Sequence, residues 1–256
     1  MTNQTTDAPK AAEAPEPDTR KKRVVHIVRE EFSRKIVSYA VTAMAAVFFG
    51  LVAIPAFFAA VVPLEESARS GAFAVDLIFL AIISILSINV FSRSYMLIHR
   101  DPFHGWLVFL RSLPVSPREM ILARSLIMLP ATAVLTALFF APLTVFSPFL
   151  DARFGAAQYL WFALIWLGYA LAAGGMNLIL ELGVSGKLAL VFQFVWFAAI
   201  IAAVWISGGG IVFATFGLAG EYGPLIAGIS LLAGGIVFAL FAKATERRVA
   251  GREFAV

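Results

Sequence analysis

The chain has 256 residues, 61% of them hydrophobic and 14% charged, with a mean hydropathy of +0.88. Soluble domains are about one quarter charged, and a core this large still needs a polar shell that the composition does not supply, so the bilayer is the natural solvent. The lack of cysteine rules out disulfides and thiolate metal sites, and the net charge of +4 has no meaning for partners until its placement is known.

Residues 1–22 open with MTNQTTDAPKAAEAPEPDTR, rich in Ala, Pro, Thr and acids. Such a segment cannot bury enough surface to order itself and predicts a disordered cytoplasmic tail. No apolar stretch follows the first methionine, so it does not read as a signal peptide. Next comes RKKRVVHIVREEFSRKIV, in which Val25, Val28, Phe32 and Ile36 form one helical stripe. Arg23, His26, Arg29, Glu30, Ser33 and Arg34 fill the rest. The pattern predicts an amphipathic elbow helix in the interface plane, serving as a topological anchor or as a docking surface for a cytoplasmic subunit.

A span needs about 20 mostly apolar residues. Six segments qualify, at about 36–62, 73–91, 121–146, 159–182, 188–206 and 225–242. They make residues 23–248 one six-span, all-α membrane domain, with a short tail at 249–256. Lys and Arg placement gives the orientation. The segment up to Lys35 holds eight, the connection after span two holds Arg93, Arg100, Arg111, Arg118 and Arg124, and Lys187 follows. Lys243, Arg247, Arg248 and Arg252 complete 18 of 20 on one side. Only Arg69 and Arg153 fall opposite, with Glu65, Glu66, Asp151 and Glu221. The positive-inside rule then puts both termini in the cytoplasm. The basic balance thus reports orientation, and no nucleic-acid partner is implied. The outer segments 63–72 and 147–158 are short. The third, SGGGIVFATFGLAGEYGP at 207–224, is apolar but glycine-rich, and reads either as a re-entrant segment or as an interfacial loop.

The connection between spans two and three is the most structured part of the polar sequence. Phe103, Trp106, Leu107, Leu110 and Leu113 recur with helical spacing, giving an in-plane amphipathic helix. Pro114 ends it, because a residue before proline is pushed out of the helical region. The sequence SPRE then starts a new helix. Ser116 and Glu119 are placed for a reciprocal capping box, and Pro117 sits at the first helical position. A short helix and a freshly capped one meeting at a rigid corner can pass a push into span three.

The stretch LRSLPVSPREMILARSL, with the amphipathic helix before it and the long span after it, resembles the ABC-2 class of ABC transporter permeases. The resemblance covers residues 24–248, and its most specific element runs from Leu113 to Glu119. It implies that the 103–119 corner is a coupling helix docked in a separate ABC ATPase subunit. Phe103, Trp106, Arg111, Leu113, Pro114, Ser116, Arg118 and Glu119 would make that contact. Val25, Val28, Arg29 and Phe32 of the elbow would brace it. It further implies a dimer with a second permease copy or paralogue, an outer gate at 207–224, export as the direction, and a multi-pass place in a bacterial inner (plasma) membrane. No GxxxxGK[ST] occurs. The chain is therefore expected to be no enzyme and to bind no cofactor, with ATP handled by its partner.

Few polar residues lie within the spans. Asp76 is expected to snorkel, and Glu181 to snorkel or to pair with Lys187. Asn89, Asn177 and Gln193 suit helix–helix hydrogen bonds, and Gly168, Ala172, Gly174 and Gly175 give span four a small-residue face. Pro55, Pro130 and Pro142 are expected to kink their spans. His26, His99 and His104 have no acidic partners suited to a metal. Two rivals to the permease remain: a carrier driven by an ion gradient, for which Asp76 and Glu181 are the available acids, and a non-transporting membrane scaffold or sensor.

Overall fold

The computed structural model describes residues 17–61, 68–87, 116–150, 155–184 and 186–251. Its elements are α1 (Pro17–Val61), α2 (Ala68–Leu86), α3 (Pro117–Leu150), α4 (Ala156–Leu178), a π-helical turn (Ile179–Gly183), α5 (Gly186–Ser207) and α6 (Ile211–Gly251). There is no strand among the described residues. Five helices are long and apolar enough to cross a membrane, and α2 adds a shorter apolar stretch, Gly71–Leu86. The chain is an all-α, multi-pass membrane protein. The expected second span, 73–91, lies within the described residues only as far as Ser87.

The elbow and the first span are one element. α1 runs 45 residues without interruption, about 68 Å at 1.5 Å per residue. The separate in-plane elbow is therefore replaced by a continuous helix that carries Val25, Val28, Arg29 and Phe32 along its first half. The reason is visible in the sequence: no Gly or Pro occurs between Asp18 and Phe49, so nothing breaks the helix. Residues 17–22, expected in a disordered tail, are helical too. Pro17 starts the helix where its missing N–H is harmless. At the other end α6 reaches Gly251, past the expected tail boundary at 249. Both α1 at Pro55 and α3 at Pro130 and Pro142 continue as helix through their prolines.

Helices in lipid associate by packing and internal hydrogen bonds, since lipid is as apolar as leucine. Two seams use the first device. Gly50 of α1 leaves room for the backbone of Phe139 in α3. Gly168 and Gly175 of α4 lie against Ser230, Gly234 and Phe238 of α6, and a side chain on Gly234 would strike the Gly168 carbonyl. The small-residue face of span four thus packs within the chain. At the centre, Phe57, Phe79, Phe139, Phe140, Tyr159, Phe162, Trp166 and Phe216 come from five different helices. Their rings meet largely edge to face, with centroids 5.1 Å apart for Phe57–Phe216 and 5.4 Å for Phe79–Phe139. Each such pair contributes about 0.5–1.5 kcal/mol beyond its area.

Polar bonds supply the second device. The Asn177 side-chain amide donates to Ser87 Oγ at 3.0 Å, and Trp196 Nε1 donates to Ser84 Oγ at 3.3 Å. The Tyr169 hydroxyl donates to the Leu80 carbonyl at 3.1 Å. These bonds tie α2, α4 and α5 together, the role expected of Asn177.

The pairings also fix helix directions. α1 and α3 run parallel, as do α2, α4 and α6, and α3 is antiparallel to α4. The start of α1, the start of α3 and the ends of α4 and α6 therefore share one end of the bundle. Arg118, Arg124, Arg248 and the basic start of α1 gather there.

Candidate functional site

The site is built from the start of α3. The Ser116 backbone N–H donates to Glu119 Oε2 at 2.8 Å, and the Glu119 N–H donates to Ser116 Oγ at 3.3 Å. The Ser116 hydroxyl adds a 3.0 Å bond to the same carboxylate oxygen. This is the reciprocal capping box expected from SPRE, and it starts the helix at Pro117. Glu119 is buried, whereas Arg118 beside it is exposed. Of the proposed coupling contacts, Ser116, Arg118 and Glu119 are therefore placed together. Phe103, Trp106, Arg111, Leu113 and Pro114 lie outside the described residues, as do Asn89, His99 and His104. His26 is exposed on α1.

One and a half turns further along α3, Arg124 is 2% exposed. Its guanidinium crosses to α4's end and grips Glu181, with Nε to Oε2 at 3.0 Å and Nη2 to Oε1 at 2.7 Å. The expectation for Glu181 is corrected: it neither snorkels nor pairs with the exposed Lys187. It is buried and held by a forked arginine, the geometry in which a carboxylate is bound most specifically. Glu181 sits in the π-helical turn, where one extra residue per turn re-aims the side chains. The turn is tight, since a side chain on Gly183 would meet Ile179 at 2.8 Å, and Arg248 of α6 lies 3.7 Å from the same point. The start of α3 and the ends of α4 and α6 thus meet around this turn.

Beside it lies a groove of about 560 Å³ between α3 and α6. Its floor is Ile121 and Phe238, and its rim carries Arg118, Ser125, Lys243 and Glu246. Among the described residues, no group of three or more His, Asp or Glu is placed to hold a metal ion.

At the opposite end a second acid is corrected. Asp76 does not snorkel. It is 1% exposed, and its two carboxylate oxygens accept the backbone N–H groups of Ile211 and Val212, each at 2.8 Å. It caps the positive end of α6 from another helix. The turn before α6 depends on glycine, because Gly208 and Gly209 have φ of 68° and 76°. A side chain on Gly209 would also come within 2.6 Å of the Phe73 nitrogen in α2. The segment 207–224 is consequently not an interfacial loop. It is a tight turn followed by helix, which kinks at Tyr222 (φ −126°, ψ 23°) just before Pro224 and continues as the last span. Phe216 anchors this arm in the aromatic core, and Gln158 Nε2 donates to its carbonyl at 3.0 Å.

Sequence reasoning missed Arg124 as a buried partner and Asp76 as a cap. A signal existed for the first: one arginine inside an apolar helix and one glutamate at matching depth in the next. Comparison with protein-family models, with curated proteins and with solved structures returns no match.

Proposed function

We propose that this chain is the membrane subunit of a two-component ABC exporter in a bacterial plasma membrane. A separate ABC ATPase would dock at the 103–119 corner and supply all ATP chemistry. One observation supports this most: α3 starts at a reciprocal cap beside the corner, continues to Leu150 as unbroken helix, and is locked by Arg124 to the end of α4. A displacement of the corner would therefore reach the membrane interior through rigid parts. The groove rimmed by Arg118 and Lys243 extends the same docking surface. Asp76 joins α2, on the other side of the corner, to the arm at 211–221, within the 207–224 segment that would form the outer gate. α5 and the outer side of α6 leave broad apolar faces for lipid or for a second permease copy or paralogue.

The gradient-driven carrier needs an acid poised to titrate during transport. Here Asp76 is engaged as a helix cap and Glu181 in an ion pair. Both have structural occupations, which favours the ATP-driven reading. The test uses the absence of native thiols. Arg118→Cys, at an exposed position, carries a photo-crosslinker in native membranes. The expected product joins this chain to a soluble ATP-binding polypeptide. Cross-links to lipid alone would refute the docking surface.

A further inference from the structure

We propose that the groove between α1 and α3 binds one anionic phospholipid from the leaflet facing the basic end of α1. This inference stands apart from the transport reading. The groove has a volume of about 560 Å³ and is lined almost wholly by apolar side chains, including Phe32, Ile36 and Ala43 of α1 and Leu126, Ala131 and Val134 of α3. From Val28 to Ala43 it follows α1 for about 22 Å at 1.5 Å per residue. One leaflet of hydrocarbon is about 15 Å deep, so the groove holds an acyl chain and continues to the headgroup level.

The polar end of the groove identifies the headgroup. Lys22, Arg29, Phe32, Ile36 and Ala43 recur at i, i+7, i+10, i+14 and i+21, one stripe of the helix. The cations therefore stand on the same face as the groove wall, Arg29 beside its Val28 end and Lys22 about 9 Å further along the helix, and both are exposed. Residues 17–35 hold seven Lys and Arg against three acids. A basic stripe continuous with an apolar slot fits an amphiphile with a phosphate head and an acyl tail. It does not fit a second copy related by a two-fold axis, which would set the two basic stripes against each other.

Native mass spectrometry of the full-length protein, titrated with phosphatidylglycerol and with phosphatidylcholine of identical chains, tests this. One phosphatidylglycerol is expected to bind about thirtyfold more tightly than phosphatidylcholine, the effect of two nearby cations. Arg29→Ala should weaken phosphatidylglycerol about fivefold and leave phosphatidylcholine unchanged. Ala131→Trp, which fills the slot, should abolish the selective site. Val134→Trp, at an exposed position on the same wall, repeats the block should the first variant misfold, with helicity checked by circular dichroism. Equal binding of the two lipids, or selective binding that survives a filled slot in folded protein, would overturn the proposal. A lipid-free dimer lost on filling the slot would overturn it too, by making the groove an interface between copies.

Discussion

Removing either partner of the Arg124–Glu181 pair should destabilise the protein far more than removing both. The guanidinium and carboxylate are buried at 2% and 8% exposure and share two short bonds. Taking away Glu181 strands a cation in a site that water does not reach. Breaking such a pair costs about 3–5 kcal/mol, and a lone arginine deep in a bilayer costs about 3 kcal/mol. Arg124 lies seven residues from the start of α3, about 10 Å along the helix, so part of the cost can be relieved by snorkelling. We therefore expect about 3 kcal/mol for Glu181→Gln and for Arg124→Gln. The double variant Arg124→Met, Glu181→Leu should recover most of it, because no charge remains buried. Denaturant titration in mixed micelles, followed by tryptophan fluorescence, gives the three values and their coupling. Single losses below about 1 kcal/mol, or a double loss equal to the sum of the singles, would refute a buried, coupled pair.

Three further outcomes follow from the geometry. Asp76→Ala removes two charge-assisted bonds to the start of α6 and should cost the arm at 211–221 about 3 kcal/mol of local stability. Hydrogen exchange should show it as lost protection over 211–221, with Asp76→Asn intermediate. Gly234→Ala places a methyl against the Gly168 carbonyl and should lower the melting temperature, whereas Gly228→Ala, with open space around it, should leave it unchanged or raise it. Ser116→Ala should cost about 1 kcal/mol through the lost cap, and Glu119→Gln should cost less because glutamine also completes a capping box. Both are read from the same denaturant titration.

What the sequence disclosed was local. The capping box at Ser116 and Glu119 is an i, i+3 relation, and it forms as its residue types demand. The small face of Gly168, Gly174 and Gly175 is likewise a spacing along one helix, and it meets α6 closely. The long-range relations were hidden. Asp76 and Val212 are 136 positions apart, and no local pattern pairs them. The glycines of 207–224, taken alone, leave a re-entrant segment and a loop equally open. The arm becomes helical because Asp76 caps it and Phe216 enters the aromatic core. The elbow misled for another reason: an amphipathic stripe says which face is apolar but not whether the helix ends, and nothing between Asp18 and Phe49 ends it.

Coupling through the 103–119 corner is tested most directly by affinity purification of the full chain from its native cell in gentle detergent, with mass spectrometry of what accompanies it. The wild type should bring down a soluble ATPase in stoichiometric amount. The Leu113→Asp, Arg118→Glu double variant, equally folded by circular dichroism, should lose it. An intact, monodisperse wild type that carries no ATPase, or a double variant that retains one, would contradict coupling through the 103–119 corner.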